Sequence, residues 1–319
     1  MLVAVLVALC GGVGAARMLS GLVRVVPPDE ITAVVNVADD VELHGLHISP
    51  DLDTVTYTLA GMDNRETGWG VTGETWTVMA ELAQLGGEDW CRLGDRDLAT
   101  HLFRTGRLRA GAPLSAVTAE LGRRRGVGVR LLPVTDDPLR TRVTLAEAST
   151  CGPAGTEVAF QDYFVRLRHD VAVRAVRFDG AEVARPGPGV LESLATAQTV
   201  VVCPSNPIVS IGPLLAVPGV REALVARRDR VVAVSPIVAG SALKGPADRL
   251  MAELGTESSV VGVARLYAPW VGTLVIDEAD ASRAAAVEDE GVRCVVAPTV
   301  MSSPERAAGL ARAVLDARA

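Results

Sequence analysis

Asp39, Asp40, Asp51 and Asp53 form the densest acidic group in the sequence, and no lysine or arginine stands between the first and the last. Carboxylates that face one cavity repel one another, so a hard cation such as Mg²⁺ is their natural compensation. The plainer reading is that Asp51 caps a helix while Asp40 and Asp53 face water. Upstream, Gly11, Gly12 and Gly14 break an apolar run. Glycines there let the backbone turn tightly, and a helix starting at that point offers its free N–H groups to an anion, most simply a phosphate. Beside a phosphate loop the metal reading gains weight, because Mg²⁺ bridges carboxylates and substrate phosphates. Other candidates are scattered. Arg96 and His101 could neutralise phosphate charge, and Ser205 with Asn206 could hydrogen-bond a base, ribose or phosphate. Against these stand a local ion-pair network around Arg96 and a Pro-flanked turn that satisfies itself. No Ser or Cys is paired in sequence with a nearby base, and Cys10 and Cys203 read as buried.

These residues need particular elements to hold them. Leu2 to Leu9 is apolar without alternation, which predicts a strand buried on both faces of a parallel sheet. Ala15, Met18, Leu19 and Leu22 follow at helical spacing, and Ile31 to Val37 predicts a second buried strand ending at Asn36 and Asp39. That makes one βαβ unit with both loops at the same sheet edge. The glycine pattern is neither a full dinucleotide fingerprint, since Arg17 replaces the third small residue, nor a Walker loop. Ser49 or Asp51 is placed to cap a helix carrying Val55 and Leu59. Residues 61–128 read as mostly helical, with a break at 68–70 and amphipathic segments near 75–85, 97–105 and 114–121. A strand is expected over 129–134. Residues 142–147, 157–167 and 171–178 are spaced like antiparallel strands. Strands near 199–203, 231–234, 273–276 and 292–296 then alternate with helices near 219–228, 247–254, 258–267 and 303–317. The prediction is an α/β fold: a Rossmann-like, mostly parallel sheet flanked by helices, built from about residues 1–60 and 186–319, with a smaller helical and antiparallel β insertion over about 61–185.

Bulk properties narrow the classes. The chain has 319 residues, 49% of them hydrophobic, and a mean hydropathy of +0.30. No apolar run approaches the roughly 18 residues of a spanning helix, so no membrane association is expected. A net charge of −7 argues against a basic face for nucleic acid. Five dispersed cysteines without C-x-x-C fit a reducing, cytoplasmic setting, and His44 with His47 is too little for a zinc site. Taken alone, the residues signal a nucleotide or phosphate and leave the reaction open; an NAD-dependent oxidoreductase and a non-catalytic nucleotide binder are both compatible with them.

Several stretches together resemble one family, the transferases that build the side chain of the deazaflavin coenzyme F420. They are GGVGAAR (Gly11 to Arg17), VVNVADD (Val34 to Asp40), HGLHISPDLDT (His44 to Thr54) and LGDRDLATHLFRT (Leu93 to Thr105). FQDYFVR (Phe160 to Arg166), PSNPIVSIGP (Pro204 to Pro213) and SPIVAGSALKGPAD (Ser235 to Asp248) complete the series, in family order. The resemblance implies Mg²⁺-dependent transfer from enolpyruvyl- or lactyl-diphospho-guanosine to the ribityl hydroxyl of Fo, with loss of GMP. It implies Asp39 and Asp51 as metal ligands, and Asp40 or Asp53 as the group that orients or deprotonates the hydroxyl. Gly11, Gly12 and Gly14 would hold the diphosphate, with Asn36 also in the binding site. Ser205, Asn206 and Ser210 would contact the nucleotide, while Arg96 and His101 would line the Fo side, with Tyr57 or Trp69 as candidates to stack on its ring. A homodimer and a functional link to the guanylyltransferase that makes the donor are implied as well. GGVGAAR is closer to the bacterial GGVGGAR than to the archaeal GGTGTPK, which favours the enolpyruvyl donor.

Overall fold

A computed structural model describes residues 5–64 and 70–318; Leu2 to Ala4, Trp69 and most of the expected break at 68–70 lie outside them. The first half of the chain runs β1 (Leu6–Cys10), α1 (Gly12–Leu22), β2 (Ile31–Val35), the hairpin β3 (Val41–Leu43) and β4 (Leu46–Ile48), and α2 (Pro50–Leu59). Three helices follow, α3 (Thr77–Gln84), α4 (Asp95–Arg109) and α5 (Leu114–Arg124), then β5 (Arg130–Pro133), β6 (Arg140–Leu145), β7 (Glu157–Ala159) and β8 (Val173–Asp179). The second half contains α6 (Val190–Thr196), β9 (Thr199–Val202), α7 (Gly212–Ala216), α8 (Val220–Val225) and β10 (Val231–Val234). It ends with the short ribbon β11 (Ile237–Val238) and β12 (Ser241–Ala242), α9 (Ala247–Glu253), α10 (Val260–Tyr267), β13 (Thr273–Ile276), α11 (Ala284–Asp289), β14 (Arg293–Val296) and α12 (Pro304–Asp316).

Seven strands form one parallel sheet in the order β14-β13-β10-β9-β1-β2-β5. Read from β5, this is the dinucleotide-fold order extended by one strand. Every residue of β1, β2, β9, β10 and β13 is buried, which requires cover on both faces and explains why these segments show no alternation. The chain leaves β1 toward β2 and β5, then returns to β9 on the other side of β1. The loops after β1 and β9 therefore diverge, and the crevice between them is the topological switch point. Cys10 and Cys203 mark its floor, with their buried sulfurs 3.8 Å apart.

The expected insertion boundary is corrected by the pairing. β5 lies within 61–185, yet its register runs Thr32 opposite Arg130 to Val35 opposite Pro133, so it is the edge strand of the main sheet. Two separate additions flank it. The helical one packs onto the β3–β4 hairpin through its own cluster of Leu43, Ile48, Met79, Leu93 and Leu98. The other is the antiparallel sheet β7-β6-β8, with a satellite core that includes Val143, Leu145, Tyr163 and Leu250. Of the strand expected over 157–167, only Glu157–Ala159 pairs, and Asp162–Arg166 is a π-helical turn. Helical spacing brings Phe160 to stack on Phe164, with ring centroids 5.4 Å apart, and turns Tyr163 fully into the core. The local β propensity of these aromatics yields to that burial.

Candidate active site

α1 begins at Gly12, directly after β1, so two of the three glycines belong to its first turn. Gly12 has φ of +72°, a backbone conformation that favours glycine. Gly14 is needed for closeness instead: a Cβ there would stand 2.0 Å from the Pro204 carbonyl oxygen, and one on Gly11 would stand 2.5 Å from Ser210 Cβ. The glycine loop and the 204–210 segment thus close on one another across the switch point. Gly14→Ala is expected to lower stability by about 1–3 kcal/mol, because the obstacle is backbone; an unchanged thermal midpoint would show that the two segments part freely.

Asn36 directly follows β2 and organises the acids. Its side-chain NH₂ donates to Asp39 Oδ2 at 3.1 Å and to Asp51 Oδ2 at 3.0 Å, while its Oδ1 accepts the Ala38 N–H at 2.9 Å. Both of its donors are thereby committed, so Asn36 is a bridge between carboxylates and has no NH₂ hydrogen left for a ligand. Asp40 Oδ2 accepts from Ser49 Oγ at 2.8 Å and lies 2.9 Å from His47 Nε2. Gln161 of the antiparallel addition reaches across to donate to the Asp39 carbonyl at 3.1 Å. Asp39, Asp40, Asp51 and Asp53 are all buried, which overturns the reading of Asp40 and Asp53 as facing water. Ser49 occupies the cap position of α2 without capping it, since its hydroxyl is on Asp40.

Burial, followed by the charge of Asp51, drives the Asp39 carboxyl well above its usual range. Asp51 is pushed up to about 7 by burial, although hydrogen bonds from Asn36 and the Gly12 N–H pull the other way and Asp40 adds repulsion. Asp39 Oδ1 and Asp40 Oδ1 are buried without a hydrogen-bond partner among the described residues. Hard oxygen ligands, repulsive and partly orphaned, next to a helix N-terminus suited to phosphate, fit a small divalent cation such as Mg²⁺. Asp39 and Asp51 would hold it.

Asp53 goes elsewhere. It faces α4, where both of its oxygens take the guanidinium of Arg104, one at 3.1 Å from Nη1 and the other in a shorter contact with Nη2. Such a fork leaves Asp53 poorly placed to take a proton from a substrate. His101 is 1% exposed; its Nδ1 is 3.3 Å from Arg104 and its Nε2 is 3.2 Å from Asp97. Its Nδ1 also lies 3.6 Å from Asp53 on α2, so it joins α4 to α2 and does not line an open cleft. Asp53, Asp97 and His101 are close enough to ligate a metal, but Arg104 already supplies the positive charge there. Tyr57 donates to Asp97 at 2.6 Å and is buried, so its ring is not available for stacking, and Trp69 lies outside the described residues. Arg96 is exposed and its guanidinium turns to the Thr72 carbonyl, while Glu74 accepts its backbone N–H at 2.6 Å.

On the far side of the crevice, Asn206 Oδ1 accepts from Ile208 and Val209 N–H groups at 2.9 and 3.3 Å, which is the self-satisfied turn anticipated for it. Ser205 differs: its Oγ is buried with no partner among the described residues. Ser210 packs against Gly11. At the ends of β10 and β13 the polar side chains bond locally: Ser235 with Ile237, and Asp277 with Ala279 and Thr299. Arg104 and Gln161 had no signal of their own in the sequence, while Ser49 signals only a helix cap there and His47 only half of an insufficient zinc pair. Only a helical face combining Leu98, His101 and Thr105 with a charged Arg104 hinted that α4 buries polar groups.

A doubly wound parallel sheet with a glycine turn and a buried acidic cluster at its switch point defines an α/β enzyme working at the carboxyl edge of its strands. The profile of the family described as 2-phospho-L-lactate transferase CofD matches residues 6–300. The chain belongs to the CofD family of transferases. A curated relative from Kitasatospora aureofaciens, named phosphoenolpyruvate transferase, is 46% identical over 314 residues, spanning 97% of this chain and 96% of its own length. Relatives of the same name from Streptomyces griseus and Mycolicibacterium smegmatis are 47% and 42% identical, each alignment covering at least 97% of both chains. A solved structure from Bacillus halodurans, a member of the UPF0052 family, shares the fold with a TM-score of 0.61 at 17% identity, covering 97% of this chain and 98% of its own. Among the described residues no helix is long and apolar enough to cross a membrane.

Proposed function

We propose that this chain transfers a phosphoenolpyruvyl group from enolpyruvyl-diphospho-5′-guanosine to the terminal ribityl hydroxyl of Fo, releasing GMP and giving dehydro-F420-0. The observation that carries the reading is the Asn36 bridge, which holds Asp39 and Asp51 together beside Gly12. A diphosphate placed on the α1 N-terminus would meet those carboxylates, and only a cation reconciles the two sets of negative charge. Mg²⁺ held by Asp39 and Asp51 would neutralise the diphosphate and polarise the transferred phosphoryl group.

The remaining work falls to the chain's own residues. N–H groups of the Gly11 to Gly14 turn other than that of Gly12, which is on Asp51, orient the diphosphate. Asp40, with Oδ2 fixed by Ser49 and His47, offers its uncommitted Oδ1 to the ribityl hydroxyl and takes its proton. The hydroxyl oxygen bonds to the phosphorus bearing the three-carbon acid as that phosphorus releases the oxygen of GMP. Little covalent chemistry is needed beyond this, so positioning and charge stabilisation carry the rate. Ser205 Oγ, buried and unpartnered among the described residues, supplies a hydrogen bond to the nucleotide from the opposite wall, with Ser210 beside it.

The enolpyruvyl donor is favoured over the lactyl one by relatives named phosphoenolpyruvate transferase at 42–47% identity, along with the GGVGAAR turn. The test is a coupled assay with Fo, GTP, Mg²⁺ and a guanylyltransferase that accepts both acids. With phosphoenolpyruvate and phospholactate in competition, the dehydro product is expected in excess by mass. Mostly saturated product would move the donor to phospholactate, and no adduct from an assay that succeeds with a working transferase would end the transferase reading.

A further inference from the structure

α4 grips one residue of the β3–β4 hairpin by both of its main-chain groups. Thr105 Oγ1 accepts the His47 N–H at 2.8 Å, and Arg104 Nη1 donates to the His47 carbonyl at 3.3 Å. The same guanidinium forks onto Asp53 and reaches His101 Nδ1. From His101 the contacts run to Asp97 and on to Tyr57. Asp53 and Tyr57 both lie on α2, so the ring of contacts closes on the helix whose first turn carries Asp51. The imidazole of His47, held at its backbone by this ring, stands 2.9 Å from Asp40 Oδ2.

Arg104 is 2% exposed, an expensive place for a guanidinium. Burial works against its charge, yet Asp53 outweighs that and raises its pKa above the ordinary value. A buried ion pair is weak evidence for stability, since apolar residues of similar volume often serve as well or better. What they cannot do is hold a carboxylate and a loop carbonyl in one fixed fork.

We propose that Arg104 is a positioning residue for the reaction: it fixes the main chain of His47 so that the imidazole holds Asp40 with one oxygen committed and the other free. This rests on the reading of Asp40 as the proton acceptor. Arg104→Met alone strands a buried Asp53 and is at risk of unfolding, so the test uses the pair Arg104→Met with Asp53→Asn, which removes the charges together. The pair is expected to fold, to keep its Mg²⁺-induced thermal shift, and to lose about 10- to 100-fold in kcat with little change in KM for Fo. His47→Leu should lose a similar factor, His47→Gln should retain most activity through its side-chain NH₂, and His47→Leu added to the pair should cost nothing more.

A second readout needs no substrate. The His47 Nε2 proton, hydrogen-bonded to Asp40, should give a protected ring N–H signal by NMR in the wild type, assignable among only four histidines, and this signal should vanish in the paired variant. Three results would overturn the proposal: a folded pair with kcat within about twofold of wild type, losses that multiply with His47→Leu, or an unchanged His47 signal. Full turnover in Asp40→Asn would instead overturn the role of Asp40, and the NMR result would then decide the clamp alone.

Discussion

Asp51→Asn is expected to abolish turnover, with kcat falling by at least about a thousandfold, while the protein still folds. Asp51 and Asp39 share the amide of Asn36, and in the proposed reaction they share the cation that neutralises the diphosphate. Removing one charge leaves that cation a single carboxylate ligand from the pair. The stability consequences are small and opposed. An asparagine relieves repulsion in a buried acidic cluster, but it must point its NH₂ at a donor, either Asn36 or the Gly12 N–H, and forfeits about 1 kcal/mol. The informative contrast is with added metal. Wild-type protein at a hundred times the Mg²⁺ dissociation constant gains about 2.7 kcal/mol, seen as a rise in thermal midpoint, and Asp51→Asn loses this rise along with activity. Turnover near the wild-type rate in Asp51→Asn would remove Asp51 from the metal site.

Asp40→Asn separates proton transfer from metal binding. Its Oδ2 is held by Ser49 and His47 and its Oδ1 is buried with no partner among the described residues, so this carboxylate is fixed at one end and uncommitted at the other. An amide in the same place can no longer accept a proton, and a loss of about 10² to 10⁴ in kcat follows, with KM for Fo nearly unchanged. Because Asp39 and Asp51 are intact, the thermal rise with Mg²⁺ should persist. A variant that lost the Mg²⁺ response together with turnover would place Asp40 among the metal ligands. Asp53→Asn is a useful companion: its effect should appear in stability, because Arg104 would be left buried without its counter-charge.

Much of the fold was legible in local pattern. The strands expected at 31–37, 199–203, 231–234 and 273–276 form over 31–35, 199–202, 231–234 and 273–276, and every residue of them is buried. The region between residues 61 and 185 was less legible. β5 is short, only four residues, and looks like any strand; nothing in its composition says that it pairs with β2 and not with β6. Strand pairing is a long-range choice, whereas propensity is a short-range one. The same limit explains the 157–167 segment, where β-favouring aromatics close a helical turn because that places Tyr163 in the satellite core.

The site divides along the same line. By itself the sequence determined that glycines at 11, 12 and 14 would turn at the end of the first strand, that aspartates at 39 and 40 would stand at the next loop on the same edge, and that Asp51 would open the helix that follows. Both loop placements follow from chain-local geometry: strand lengths fix where loops fall, and right-handed βαβ crossovers put those loops side by side. Only the tertiary structure decided how the acids divide. Asp53 is two residues from Asp51 on the same helix, but the helix turns it toward α4, and Arg104 neutralises it from 51 positions away. Asp39 and Asp51 instead meet at Asn36, where no cationic side chain among the described residues joins their contacts. A carboxylate's role depends on which charge reaches it through a low-dielectric interior, and that is set by the packing of distant segments.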